Sequence, residues 1–285
     1  MSRATKAVEQ VRVRRAAPER IPASVYASAF ILLLVLFWVV FPSAGGKGAL
    51  LQDIMSGSLP PGSRGHLLGT DTLGRDVLKL TIAGARSALL GPIVIASGSI
   101  VIGIVFGSIA GWFGGAADWL ISRYADMTLS LPSLLLAIVV SGIIGGGYWV
   151  SVLVLMILYS PFDIRIVRSA VIAERNKPYI EAALVLRLNA LRIIFKHIFP
   201  NIALIVCVNF FLNIGYGIVS MSSLSYIGLG VSPQDADWGR QLLDGRELIF
   251  TNPAAVLSAG LAIILTATAV NIVGNWIAER NSLAL

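Results

Sequence analysis

Five long stretches of the chain carry no Asp, Glu, Lys or Arg: between Arg20 and Lys47, and from Ser87 to Ala117, Met127 to Phe162, His197 to Gln234 and Leu248 to Ala278. A helix needs about 20 mostly apolar residues to cross the hydrocarbon of a bilayer at about 1.5 Å per residue, and each stretch is long enough. Three predict one spanning helix each, over Pro22 to Phe41, Ala88 to Trp112 and Ala254 to Ile277. The stretch that opens at His197 predicts a span ending near Ser220. Beyond it Ser222, Ser223, Ser225, Gly228, Gly230, Ser232 and Pro233 follow at a density that ends helices and makes loops.

The middle stretch is too long for one crossing, since a single helix over Met127 to Phe162 would extend about 54 Å. Gly142, Gly145, Gly146 and Gly147 mark a turn midway, so a hairpin of two spans is predicted. Charge supports the hairpin. Arg165 to Lys196 holds seven Lys/Arg against two acids, and the first twenty residues hold Arg3, Lys6, Arg12, Arg14, Arg15 and Arg20. Under the positive-inside rule both segments belong on the cytoplasmic side, and only an even number of crossings between them allows that. The expectation is an all-α membrane protein with six transmembrane helices and both termini cytoplasmic in a bacterial inner membrane. Residues 1–21 form a basic tail and residues 22–285 the membrane domain, with outer loops at 43–86 and 221–252 and a cytoplasmic segment at 169–197. The first outer loop carries Lys47, Arg64, Arg75, Lys79 and Arg86 against three acids; long loops are translocated with such charge more readily than short ones.

Composition sharpens this picture. Hydrophobic residues make up 56% and charged residues 13%, with a net charge of +7; soluble domains carry about 25% charge. The basic excess beside a span reads as a membrane anchor. The apolar run from Pro22 is too long for a cleavable signal peptide. With Cys207 as the sole cysteine, no intrachain disulfide forms.

Tools for chemistry are scarce. The chain has no His-Glu-x-x-His, no Gly-x-Ser-x-Gly and no Gly-x-x-x-x-Gly-Lys-[Ser/Thr] phosphate loop, so neither a membrane enzyme nor an ATPase is indicated. His66 and His197 fall on opposite predicted sides and cannot share a metal. Gly103, Gly107 and Gly111 share one helix face, a pattern that lets helices pack closely in lipid. Asn209 with Asn213, and Asn271 with Asn275, each lie four apart; they either join helices or line a wet pathway, because lipid offers them no partner. On the cytoplasmic side Pro178 suits a first helical turn and Tyr179 to Ala183 continue it. A short helix between two spans serves no purpose in the bilayer, and docking of a soluble partner explains it.

The Glu181-Ala182-Ala183 motif, followed by His197 and Pro200-Asn201, resembles the coupling loop of binding-protein-dependent ABC importers, specifically the second permease subunit of the dipeptide, oligopeptide and nickel group. His66 to Val77, Asp126 with Leu131 to Ala137, Arg165 with Arg168, Ile227 to Val231 and Trp238-Gly239 carry the resemblance over almost the whole chain after residue 65. It implies the ABC type I importer permease fold with a cytoplasmic coupling helix. It implies a homologous second permease, two ATPase subunits that hold the ATP and Mg, an extracytoplasmic solute-binding protein, and no cofactor in this chain. Tyr179, Glu181, Ala182, Ala183, Arg187, His197 and Pro200 become candidates for ATPase coupling. Asp71, Arg75, Asp76 and Trp238 become candidates for binding-protein docking, with helix capping as the competing role. Solute is expected to be a peptide moved inward by ATP-driven alternating access, with nickel or a metal chelate as the alternative; a gated channel is disfavoured because it has no use for a docking helix. One position departs from the family. Arg187 stands where Gly is usual, and the expectation is that the coupling helix runs through Arg187 and turns near Asn189.

Overall fold

The computed structural model describes residues 21–282; the basic cluster of the N-terminal tail lies outside them. The membrane domain consists of helices α1 (Ala23–Val40), α2 (Val77–Phe113), α3 (Gly115–Leu129), α4 (Ser133–Ile144), α5 (Tyr148–Arg175), α6 (Pro178–Val185), α7 (Phe199–Ile227), α8 (Trp238–Gly245) and α9 (Ala254–Ser282). Among the described residues five helices are long and apolar enough to cross a membrane, and α3 with α4, bent by 87° at their junction, together meet the same test as a sixth candidate. The hairpin between α4 and α5 turns at Gly145, Gly146 and Gly147, with φ of 104°, 69° and 106°. Three successive positive values are open to glycine and to almost nothing else.

Several boundaries differ from expectation. Helix α2 begins at Val77, not near Ala88, so part of the expected first outer loop is helical. Asp76 caps it, accepting from the Lys79 amide at 2.9 Å, and Val77, Leu80 and Ile82 are buried, which offsets the presence of Lys79 and Arg86. Helix α3 stops at Leu129 and α4 begins at Ser133, with Pro132, which lacks an amide donor, between them. Helix α7 does not stop at Ser220 but continues to Ile227 and ends on the left-handed Gly228. Met221, Ser222, Leu224 and Ser225 are buried, so packing overrides the weaker helix propensity of the serines.

The centre of the bundle is α2 against α5. A Cβ on Gly103 would lie 2.5 Å from Asp163 Cβ, one on Gly107 2.8 Å from the Ile164 carbonyl, and one on Gly111 2.9 Å from the Arg168 carbonyl. The three glycines thus let two backbones touch, as expected of the stripe. Helices α7 and α9 complete the core, and α1 lies outermost with Tyr26, Phe30, Leu33 and Phe37 exposed.

Candidate functional site: a braced helix at one end of the bundle

Helix α6 lies between the end of α5 and the start of α7, at the opposite end of the bundle from the α4–α5 turn. Pro178 opens it, where a missing amide donor costs nothing, and Glu181 sits in its first turn. Ile180 and Ala183, three apart and so on one face, are buried in a cluster with Val167, Val171, Ile193, Ile194 and Ile198. The other face is open: Glu181 and Ala182 are exposed, and Val185 and Leu186 are 82% and 73% exposed. Of the three motif residues, Glu181 and Ala182 present themselves outward and Ala183 holds the helix down.

The turn out of α6 corrects the expectation at Arg187. This residue has φ of 56°, while Asn189 is extended and caps the next turn, accepting from the Leu191 amide at 3.2 Å. The Arg187 amide donates to the Leu184 carbonyl at 2.9 Å and the Leu188 amide to Ala183 at 3.2 Å. These two bonds are a Schellman cap with arginine in the place usually taken by glycine. Packing of Leu188 against the buried cluster holds the chain in this turn.

Tyr179 is the brace. Its hydroxyl bonds Glu174 of α5 and receives the Asn201 amide of α7 at 2.8 Å, and Asn201 also donates to the His197 carbonyl at 2.7 Å. Glu174, 6% exposed, takes Lys177 at 2.7 Å on its other oxygen. Burial, with the bond and charge of Glu174, pushes the Tyr179 hydroxyl up to about 12, so it stays protonated and able to donate. His197 lies in a π turn, Ile194–Ile198, and Pro200 in the first turn of α7. Sequence reasoning overlooked Glu174; an acid three residues before Lys177 and five before Tyr179 was the available signal.

The opposite end is a cap built by the loop before α2. Asp71 accepts from the amides of Leu73 and Arg75 and from Arg75 Nε at 2.6 Å; Arg75 continues to Asp244 at 2.8 Å. Burial pulls the Arg75 guanidinium down, but the two carboxylates more than reverse this and its proton is held above the ordinary value. His66 meets Asp76 at 2.8 Å, Trp238 donates to the Thr81 carbonyl at 2.7 Å, and Asn252 donates to the carbonyls of Leu59, Leu68 and Thr70. Asp71, Arg75, Asp76 and Trp238 are each at most 7% exposed. Their polar groups are held in hydrogen bonds within the cap.

Inside the bundle Asn209 and Asn213 converge on Asp163, Asn213 at 2.9 Å and 3.0 Å from its two oxygens, with Ser99 beside it. All four are buried. The pair joins α7 to α5. Asp163 was read only as the edge of an apolar run, although an ionisable residue within a span is by default worth attention. Asn271 and Asn275 do not pair. Asn271 packs on Gly215 with a buried Oδ1 lacking a partner among the described residues, and Asn275 is exposed.

The family of binding-protein-dependent transport system inner membrane components matches residues 103–282, and the chain belongs to it: a multi-pass permease subunit of an ABC importer, working with a solute-binding protein and an ATPase, and not itself an ATPase. Among its relatives, the dipeptide transport system permease protein DppC of Alkalihalophilus pseudofirmus is 35% identical over 75% of this chain and 70% of its own. The di/tripeptide permease protein DppC of Pseudomonas aeruginosa is 35% identical over 87% and 84%, and the probable D,D-dipeptide permease protein DdpC of Escherichia coli 30% over 90% and 86%. The fold matches the inward-facing MetNI methionine ABC transporter with a TM-score of 0.58 at 17% identity, over 70% of this chain and 95% of that one.

Proposed function

We propose that this chain carries peptides inward across a bacterial inner membrane, paired with a homologous second permease and served by two ATPase subunits and a peptide-binding protein. The observation that carries the solute class is the naming of its relatives for dipeptides, di/tripeptides and glutathione; nickel is correspondingly disfavoured. In this reading both termini are cytoplasmic, the chain needs no cofactor of its own, and the ATPases bind the ATP and Mg. The outward face of α6, with Glu181, Ala182, Val185 and Leu186, meets a groove on an ATPase. Tyr179, tied to both α5 and α7, passes its displacement to the spans. The binding protein settles on the cap, where Ile54, Met55 and Phe250 project.

The reading is tested with the assembled complex in proteoliposomes, supplied with binding protein and labelled dialanine or nickel. Dialanine uptake and dialanine-stimulated ATP hydrolysis are expected, and uptake of nickel alone would sink the peptide assignment. Glu181→Lys reverses a favourable helix-dipole term of about 0.3–1 kcal/mol and any charge contact with the ATPase. Uptake should be lost while the subunit still inserts; normal uptake would make the motif merely structural.

A further inference from the structure

The segment that joins α6 to α7 shows two kinds of side chain on its outer face. Over the turns Ala190–Ile193 and Ile194–Ile198, Ile193, Ile194 and Ile198 are buried, while Leu191, Arg192, Phe195 and Lys196 are left exposed. Residues four apart share a helix face, so an apolar pair, Leu191 and Phe195, runs beside a basic pair, Arg192 and Lys196. Neither basic residue has an ion-pair partner among the described residues. No acid occurs in the sequence between Glu181 and Asp235.

Leu191, Ile194 and Phe195 also close one side of a groove of about 240 Å³, whose other side is α2 with Val101, Val105 and Phe113; Ser108 is the one polar residue in its lining. Val101 to Phe113 extends about 18 Å along the axis, close to the roughly 15 Å of hydrocarbon in one leaflet. Helix α2 is long and apolar enough to cross a membrane, and an apolar wall of this length on such a helix suits a soluble partner poorly. Helices pack on one another in lipid through small residues, and those of α2, Gly103, Gly107 and Gly111, are turned to α5. The groove face instead exposes Val101, Val105 and Phe113, bulky groups that suit a fluid chain.

We propose that this groove is a binding site for an anionic phospholipid, one acyl chain lying along α2 and the phosphate held by Arg192 and Lys196. Guanidinium and ammonium both take phosphate through charge-assisted hydrogen bonds, and long basic side chains reach a headgroup while their stems stay on apolar surface. Basic groups beside a span select anionic over zwitterionic lipid by charge. The lipid packs against the turns that lead from α6 into α7, so it bears on the docking helix. The inference is independent of the solute carried.

The test incubates the purified complex in detergent with phosphatidylglycerol, or with phosphatidylcholine of the same acyl chains, and counts bound lipid by native mass spectrometry. Phosphatidylglycerol should bind about thirtyfold more tightly, two basic groups each contributing roughly fivefold. Arg192→Gln with Lys196→Gln should bring it down to the level of phosphatidylcholine. Lys47→Gln with Arg246→Gln, which removes the same charge from the exposed cap, should leave both lipids unchanged. Val105→Trp fills the groove and should weaken both lipids with the basic pair intact. Equal binding of the two lipids by the parent, undiminished phosphatidylglycerol in the Arg192/Lys196 or Val105 variant, or an equal loss in the cap variant would overturn the site. Should the basic variant shed the ATPase subunits, or Val105→Trp a second permease, the face belongs to that partner and the lipid site falls.

Discussion

Arg187 shows how far a single side chain is bent to its surroundings. A non-glycine residue in the left-handed region pays roughly 1–2 kcal/mol, and nothing in the local sequence favours it over Asn189. The turn falls at Arg187 because Ile180 and Ala183 must stay buried on one side of it and Leu188 on the other; only a cap between them satisfies both. Arg187→Gly should therefore raise the thermal unfolding midpoint of the purified complex, by the equivalent of about 1 kcal/mol. Arg187→Val, whose branched Cβ tolerates this conformation least, should lower it. A valine variant as stable as the parent would show that the turn relocates to Asn189 freely. Tyr179 was legible as part of the motif, but its partners Glu174 and Asn201 were not, since five and twenty-two residues of separation close only when α5, α6 and α7 meet.

At the scale of elements, the α2–α5 contact is the most exacting. Gly107 faces the Ile164 carbonyl and the Val167 side chain at 2.8 Å from its missing Cβ, whereas Gly142 in α4 has open space around it. Gly107→Leu forces two backbones apart and should cost more than the 1–3 kcal/mol typical of overpacking, so folded, assembled complex should be largely lost. Gly142→Leu, on an apolar helix with room, should purify and unfold like the parent; equal behaviour of the two variants would deny the stripe its role. Spacing four apart made the stripe readable in the sequence, because a helix places i and i+4 on one face whatever it packs against. The ends of α2 and α7 were not readable. Their extra turns, Val77 to Ser87 and Met221 to Ile227, are stabilised by contacts with α8, α9 and α5 that local composition does not announce.

For the whole molecule the sidedness is open to direct measurement. In a Cys207→Ala background, single cysteines replacing Arg64 and Asp235, both exposed on the cap, should react in intact cells with a thiol reagent that cannot cross the membrane. A cysteine replacing Lys177, exposed beside α6, should react only after the cells are broken. Labelling of the Lys177 site from outside would invert the orientation and with it the direction of transport proposed here.

By itself the sequence determined that this is an apolar helical bundle and how its chain folds back at the Gly145–Gly147 turn. Long uncharged runs cannot be solvated as anything but spans, and the glycines cannot continue a helix at positive φ. It also determined which segment protrudes to be docked upon, since a helix with Glu181 outward has no place in lipid. Only the tertiary structure decided that Asp71, Arg75, Asp76 and Trp238 are spent inside the cap, that Asp163 binds both Asn209 and Asn213, and that Arg187 takes the left-handed turn. The physical reason is common to all three. How the chain packs sets each role: Arg75 reaches Asp244 and Asp163 reaches Asn209 and Asn213 only across the fold, and the local turns at Asp71 and Arg187 are held by burial of apolar surface around them.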